Sequence, residues 1–295
     1  MELRPYARTD DEALDRVWHA ARAVDGEVSL PGPADLGASG LVAVDAGEVV
    51  GYSRLDRWTE SDGTEMFLVT GCVHPAHRDR GHATAMLRRQ ETGAAALGAA
   101  VPQAVLGGNA DEGHTDAQQL LRDHGYQVAF TVVRLSRPVD VVPIPPLPVG
   151  LRLRPVRAEH HPTIHAAIEE CFADDRLGFI AVDYDEYLAD ARDTGLWVVA
   201  WDGDEVAGLI VNERQDDGSV DSPWVAVRAA YRGRGLASAL LARSLTTMRE
   251  HGARTALLRT VAENPHRTVD LYERAGYRVV QRLPRFRKPL HRSLS

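Results

Sequence analysis

The chain has 295 residues, 44% hydrophobic and 26% charged, with a formal net charge of −8 at pH 7. This length fits two domains of roughly 150 residues, and its negative charge argues against a nucleic-acid partner, because phosphate binding needs an excess of Lys and Arg. Two cysteines, Cys72 and Cys171, are too few for a disulfide-stapled secreted fold. No stretch approaches the ~20 apolar residues that span a bilayer, and the charged start MELRPYARTDDEALDRV has no signal-peptide core. The expectation is a cytoplasmic protein with no membrane partner.

The first half opens with a strand and a helical region, ELRPYARTDDEALDRVWHAARA. LVAVDAGEVVGYSRL (41–55) reads as two strands joined by a turn at Ala46-Gly47, and MFLVTGCV (66–73) as a third. An Arg- and Gly-rich turn leads into a long helical pattern, HATAMLRRQETGAAALG (82–98). A β-rich segment, PQAVLGG (102–108), and a short helix ending at DHGYQVAF (123–130) complete this half. RPVDVVPIPPLPVG (137–150) has prolines at 138, 143, 145, 146 and 148. Such a run builds neither a helix nor a central strand and favours an extended spacer. The expected division is therefore a domain at 1–136, a linker at 137–150 and a second domain at 151–295.

Beyond the prolines the series repeats. LRLRPVRAEHHPTIHAAIEECF opens the second half, followed by LWVVAWDGDEVAGLIVN (196–212), with its turn at Asp202-Gly203, and SPWVAV (222–227). LASALLARSLTTMREHG (236–252) carries Leu236, Ala239, Leu240, Leu245 and Met248 near the helical period, with Gly252 as its stop. RTALLRTV (254–261) and a short helix ending at RAGYRVVQ (274–281) follow. A repeat this long is a domain duplication, since solenoid periods run about 20–50 residues. Strands alternating with helices give an α/β or α+β class with a mixed sheet.

The two Arg- and Gly-rich turns, HRDRGHA (77–83) and YRGRGLA (231–237), both fit Arg-x-x-Gly-x-Gly/Ala between a strand and a helix. The first backbone N–H groups of a helix lack intrahelical partners, and the helix dipole adds positive charge there. Glycine admits a ligand close to the backbone, and arginine adds charge-assisted bonds. The combination suits a pyrophosphate. It is neither a Walker A loop nor a dinucleotide fingerprint, and a tight turn with solvated arginines is the competing explanation.

This order of strand, loop, long helix, strand and short helix resembles the GCN5-related N-acetyltransferases, once per half, in the layout of the family's tandem two-domain members. The resemblance implies two tandem folds, each a mixed, mostly antiparallel sheet flanked by helices, with acetyl-CoA as cosubstrate. It implies that Arg232, Gly233, Arg234, Gly235, Leu236 and Ala237 bind the coenzyme A pyrophosphate, with Arg78, Arg80, Gly81 and Ala83 as first-half counterparts. Val225, Ala226 and Val227 would present backbone groups to the pantetheine arm. In VAENPHRTVDLYERAGYRV (261–279), Asn264 matches a cofactor-contacting Asn and Tyr272 a tyrosine beside the thioester sulfur. A tyrosine with its ordinary pKa near ~10 can protonate a leaving thiolate; a core aromatic is the alternative. Aligning Gly125-Tyr126 with Gly276-Tyr277 sets Leu121 opposite Tyr272. Asn109 matches Asn264, with a longer stretch to the helix end, so the first half is expected to be degenerate, a binding or scaffolding half.

The implied reaction is direct acetyl transfer to a primary amine of a small molecule. A base for that amine has candidates in Asp221, preferred as lying just upstream of the cofactor strand, and in Glu213 and Glu263. No metal is implied: His161 and His165 stand at i, i+4, but His160-His161-Pro162 reads as a helix start with no further ligands. His74 and His77 flank the first loop and read as solvated or phosphate-touching. Trp18, Trp197, Trp201 and Trp224 read as core or cleft wall, and Cys171 as a buried hydrophobe rather than a nucleophile. Asp174, Asp175, Asp183, Asp185 and Glu186 lie where acceptor pockets form in the family and would favour a cationic amine, or are a solvated acidic face. A peptide or protein N-terminus is a second acceptor class, and a non-catalytic acyl-CoA-binding or sensing module is the rival function.

Overall fold

The structure, a computed structural model, describes residues 1–26, 36–60, 62–173 and 182–291. Asp174 and Asp175 lie outside the described residues. The chain forms two compact units, one of Met1–Phe130 with Leu283–Ser295 and one of Thr131–Arg282.

The first unit contains β1 (Glu2–Pro5), α1 (Asp11–Asp25), β2 (Leu41–Asp45), β3 (Glu48–Thr59), β4 (Glu65–Val73), α2 (His82–Leu97), β5 (Ala104–Asn109) and α3 (Thr115–Asp123). Strands β1 to β4 pair antiparallel in sequence order. The parallel β4–β5 pair needs a crossover, which α2 supplies. Apolar residues of the two long helices cover the sheet from separate clusters. Leu14 and Val17 of α1 pack with Val42 and Tyr52, and Met86 of α2 packs with Ala43, Val50 and Val73. The expected hairpin at Ala46-Gly47 is present, both residues taking positive φ.

The second unit repeats this plan with β7 (Arg152–Leu153), α4 (His161–Phe172), α5 (Tyr184–Asp190), β8 (Val198–Asp202), β9 (Glu205–Arg214), β10 (Val220–Val227), α6 (Leu236–Glu250), β11 (Thr255–Val261) and α7 (Thr268–Arg274). β7 to β10 pair antiparallel, and β10–β11 is the parallel pair. The buried stripe of α6, with Leu236, Leu240, Leu245 and Met248, joins Val198, Ala200 and Ile210 in the core.

Each sheet is closed by a strand from the other half of the sequence. β6 (Gln127–Pro138) enters the second unit at Thr131 and pairs antiparallel with β11, from Val261↔Val132 to Thr255↔Pro138. β12 (Arg278–Pro289) enters the first unit at Leu283, and its Arg285–Pro289 stretch pairs antiparallel with β5. The exchange is reciprocal residue by residue. Leu135 is buried in the second core and Phe286 in the first. The Arg137 guanidinium lies 5.9 Å over the Tyr277 ring, and the Lys288 ammonium 5.2 Å over the Tyr126 ring. The division into 1–136 and 151–295 read from the prolines therefore differs from that of the compact units. An alternating strand pattern records that one face is buried, not which sheet buries it.

The proline-rich run is likewise not a free spacer. Val139 N–H donates to the Arg254 carbonyl at 2.9 Å and Arg243 Nη1 donates to the Pro145 carbonyl at 2.8 Å. Val139, Val142 and Leu147 pack on the second core. Among the described residues, no helix is long and apolar enough to cross a membrane.

Candidate active site

The decisive local feature is an irregularity in β10. Asp221 pairs with Glu213 and Trp224 with Val211, so Ser222 and Pro223 stand opposite the single residue Asn212. This is a β-bulge, which unpairs backbone and bends the strand. Proline suits the position because it brings no N–H to the ladder. The parallel pairing of β10 with β11 covers Val220 to Ser222 and stops there. From the bulge onward Val225, Ala226 and Val227 pair only with Ile210, Leu209 and Gly208 of β9. Their other edge has no ladder partner in β11.

A buried polar network pins the bulge. Asn212, fully buried, donates through Nδ2 to the Leu196 carbonyl at 2.7 Å and to Ser244 Oγ at 2.8 Å. Ser222 Oγ donates back to Asn212 Oδ1 at 2.7 Å. β9, the bulge and α6 are thereby fastened at one point.

Past β10 the chain makes a short 3-10 turn at Ala229–Tyr231 and then a glycine-rich turn, and enters α6 at Gly235, which caps the helix at φ 80°. Gly233 also has positive φ, and a Cβ at either glycine would meet nothing within 4 Å. Glycine is favoured here by backbone conformation, not crowding. Arg232 donates through Nε to the Val227 carbonyl at 2.9 Å, and its Nη1 lies 3.2 Å from His266 Nε2. Arg228 is taken up by Glu170 of α4, Nη2 to Oε2 at 2.7 Å. Arg234 is stacked 5.8 Å over the Tyr231 ring. Leu236 does not face a ligand: it is 1% exposed and belongs to the core, so only its backbone is available to an anion.

The first unit keeps the loop's path and changes its chemistry. Gly81 caps α2 at φ 81°, and Asp79 holds the left-handed backbone that Gly233 holds in the second unit. Arg78 donates to Asp25 at the end of α1 through two bonds, 2.9 and 2.6 Å. Arg80 donates to the Ala76 carbonyl at 3.1 Å. β3 and β4 pair from Gly51↔Val73 to Thr59↔Glu65 without a bulge.

The short helices end identically. Tyr277 N–H donates to the Tyr272 carbonyl at 3.0 Å, and Tyr126 N–H to the Leu121 carbonyl at 3.0 Å. Leu121 thus occupies the place of Tyr272 and fills the space over Gly108. Tyr272 is 4% exposed, 6.2 Å from the Tyr277 ring, and burial pushes its phenol above the ordinary tyrosine range. Asn264 lies in the turn after β11, its Oδ1 accepting from His266 N–H at 2.8 Å. Asn109 is instead the last residue of β5, so the two asparagines are not equivalent.

The three candidate bases separate. Asp221 lies within β10 and not upstream of it, with Arg259 Nη2 3.7 Å from its carboxylate. Glu263 accepts from the Thr131 N–H at 2.9 Å. Glu213 lines a cavity of the second unit together with His165, Glu169, Tyr187, Trp197 and Trp224. Burial, then the neighbouring Asp221 and Asp190, raise the Glu213 carboxyl above its ordinary pKa. Glu169 Oε1 is buried there without a hydrogen-bond partner, 3.9 Å from His165 Nε2. His165 Nε2 meets the Val182 carbonyl at 2.8 Å and His161 Nδ1 meets Tyr187 Oη at 2.9 Å, so this pair serves α4–α5 packing. Asp183 caps α5 through the Asp185 N–H at 2.9 Å, and Glu186 lies in the first turn of that helix. Cys171 sits beside Phe172, its thiol raised by burial. The bulge and the cavity's Glu169 escaped sequence reading, although Pro223 inside an otherwise regular strand was a signal for the first.

The acetyltransferase (GNAT) family model matches residues 11–126 and again 161–277. The chain belongs to the GNAT acetyltransferase family. Its curated relatives include the mycothiol acetyltransferase of Streptomyces coelicolor, 29% identical over 93% of this chain and 85% of that protein. That of Salinispora tropica is 30% identical over 78% and 75%. A GCN5-related N-acetyltransferase from Sphaerobacter thermophilus shares the fold with a TM-score of 0.79 at 24% identity, covering 100% of this chain and 97% of that one. A tandem GNAT protein from the clavulanic acid biosynthesis pathway gives 0.69 at 16% identity, covering 99% of both. This acetyltransferase therefore carries the family fold twice.

Proposed function

We propose that the second unit transfers the acetyl group of acetyl-CoA directly to a primary amine of a small molecule, and that the first unit does not catalyse. The observation that carries this is the bulged β10, opening from β11 directly before a glycine-capped helix start. A pantetheine arm would bond the free edge of Val225–Val227, and the pyrophosphate would take the amides of Gly233–Ala237 with Arg232 and Arg234 beside it. Asn264, in the turn after β11, is the candidate for a further cofactor contact.

The amine must be neutral to attack. Glu213, in the cavity and raised above the ordinary carboxylate pKa by burial and its acidic neighbours, is the proposed proton acceptor, directly or through a water. Asp221 serves as the like charge that helps raise it. The nitrogen attacks the thioester carbonyl and the tetrahedral centre collapses with cleavage of the C–S bond; the thiolate leaves with a proton from Tyr272, and the surplus proton on the new amide nitrogen passes to the Tyr272 phenolate, restoring the phenol. Holding amine and thioester together supplies much of the rate by proximity alone. The Glu169 carboxylate oxygen, buried without a hydrogen bond, favours a cationic acceptor. The curated relatives are named mycothiol acetyltransferases, which supports a small-molecule acceptor.

Thiol release from acetyl-CoA against a panel of small amines, amino sugars and peptides tests the reading. Turnover with a small amine, abolished by Gly235→Pro with the fold retained by circular dichroism, is the expected result. Stoichiometric acetyl-CoA binding without turnover of any amine would favour a sensing module instead.

A further inference from the structure

We propose that Asp45, His77 and His82 of the first unit form a binding site for a divalent first-row transition-metal ion of the zinc class. The three residues come from the end of β2, the turn before the loop, and the first position of α2. Their ligand atoms all lie within 4.8 Å of one another, and His82 Nε2 is 3.5 Å from Asp45 Oδ2. Ligands around a tetrahedral ion at ~2.0–2.1 Å lie about 3.3 Å apart, so small side-chain movements close the set. Two imidazoles and a carboxylate suit zinc, cobalt or nickel rather than calcium or magnesium, and a water would complete the shell.

The independent sign is the state of His82. It is 3% exposed, yet neither ring nitrogen has a hydrogen-bond partner, and His77 Nδ1 is buried and unpartnered as well. Buried imidazole nitrogens without partners on two neighbouring rings are costly without a ligand, and a metal ion would take one nitrogen from each ring. Two neighbouring cations approach Asp45 without coming within hydrogen-bond distance. Arg80 Nη1 is 4.0 Å from Asp45 Oδ2 on a half-exposed side chain, and the Met1 amino group is 3.7 Å from Oδ1. The positive end of α2 opposes a cation, but this field is weaker than direct ligand bonds.

The second unit supplies an internal control. Where the first has Asp45, His77 and His82, it has Asp202, Tyr231 and Leu236. There Tyr231 Oη donates to Asp202 Oδ2 at 3.1 Å and Leu236 is buried core. One copy fastens the loop's entry to the sheet by a tyrosine–aspartate bond. In the other the same three places carry a ligand set.

The test uses the full chain without a histidine tag, stripped with chelator and dialysed against Zn²⁺ or Co²⁺. One Zn²⁺ per chain is expected by mass spectrometry of the dialysed protein, with four- or five-coordinate visible absorption for Co²⁺. His82→Leu and His77→Tyr, each installing the second unit's residue, should weaken Zn²⁺ binding at least tenfold and abolish the Zn²⁺-dependent rise in Tm. Wild-type chain that retains no Zn²⁺ and gives no Co²⁺ spectrum overturns the site, leaving a His82–Asp45 ion pair. Equal binding by folded double variant and wild type overturns it also. If the variants fail to fold, shifts of the His77 and His82 ring protons on adding Zn²⁺ to wild type decide, their absence counting against the site.

Discussion

Glu213 and Asp221 are direct antiparallel partners across β9 and β10, on the last rung before the bulge. Directly opposed residues put their side chains on the same face, so two carboxylates stand side by side, one of them lining the cavity. The first unit has Asp56 opposite Leu68 at the corresponding rung, with no second acid and no bulge.

The pH profile should register this pair. Glu213 must be ionised to accept a proton, and its pKa is raised by burial, Asp221 and Asp190. Activity should therefore fall as pH drops through a value above the ordinary carboxylate pKa of ~4.3. Asp221→Asn should move that acid limb to lower pH. Glu213→Gln should remove it and lower kcat/KM by about 10²-fold or more. The linked effect on stability has a definite sign: a raised folded pKa favours the protonated fold, so this contribution is present at low pH and is lost as pH rises through the raised value. Rates and urea melts across pH check both.

Tyr272→Phe removes the proposed proton donor and little volume. It should lower kcat by roughly 10²-fold with KM for acetyl-CoA nearly unchanged. Burial raises its phenol pKa, so no basic limb from this group should appear near pH 10 in the wild-type profile. An unaltered kcat with a true substrate would remove Tyr272 from the mechanism.

Arg232 and Arg78 should part company. Arg232→Ala is expected to weaken coenzyme A binding about tenfold by calorimetry, the scale of one or two charge-assisted bonds. Arg78→Ala should leave that binding unchanged and instead destabilise the fold by about 1–3 kcal/mol, because Asp25 loses both hydrogen bonds while partly buried. Equal losses of binding in the two variants would contradict a single cofactor site.

Asn212→Leu strips the bulge of its anchor. The Leu196 carbonyl and the Ser222 and Ser244 hydroxyls lose a buried partner, which should cost about 2–4 kcal/mol. KM for acetyl-CoA should rise several-fold in the surviving folded protein, because the register of Val225–Val227 depends on the bulge. Denaturant melts and initial rates measure the two effects separately.

Much of the site could be read from local sequence. YRGRGLA and HRDRGHA sit at helix starts, and the alignment of Leu121 with Tyr272 is matched by identical backbone bonds at both helix ends. These features depend on neighbouring residues, so spacing reveals them. What stayed hidden depends on contacts distant in sequence. Asp45 and His82 meet only through the β2 and α2 packing, and the polarity of Asn212 reads as an ordinary strand residue until Ser222 and Ser244 are beside it. The place of Asp221 inside β10, and not upstream of it, was hidden for the same reason: an inserted residue shifts a strand's register without leaving a periodicity.

The exchanged strands also set an order of assembly. Residues 131–138 close the second sheet and residues 285–289 close the first. The unit whose strands are made first is thus finished after the other, because its β5 edge stays open until residues 285–289 have been made. Synthesis from the N-terminus usually lets each domain fold as it emerges; here the early unit waits with an unpaired strand edge, a surface prone to wrong pairing. No single cut in the proline run yields two self-sufficient proteins, and fragments split there should recover their folds only when mixed.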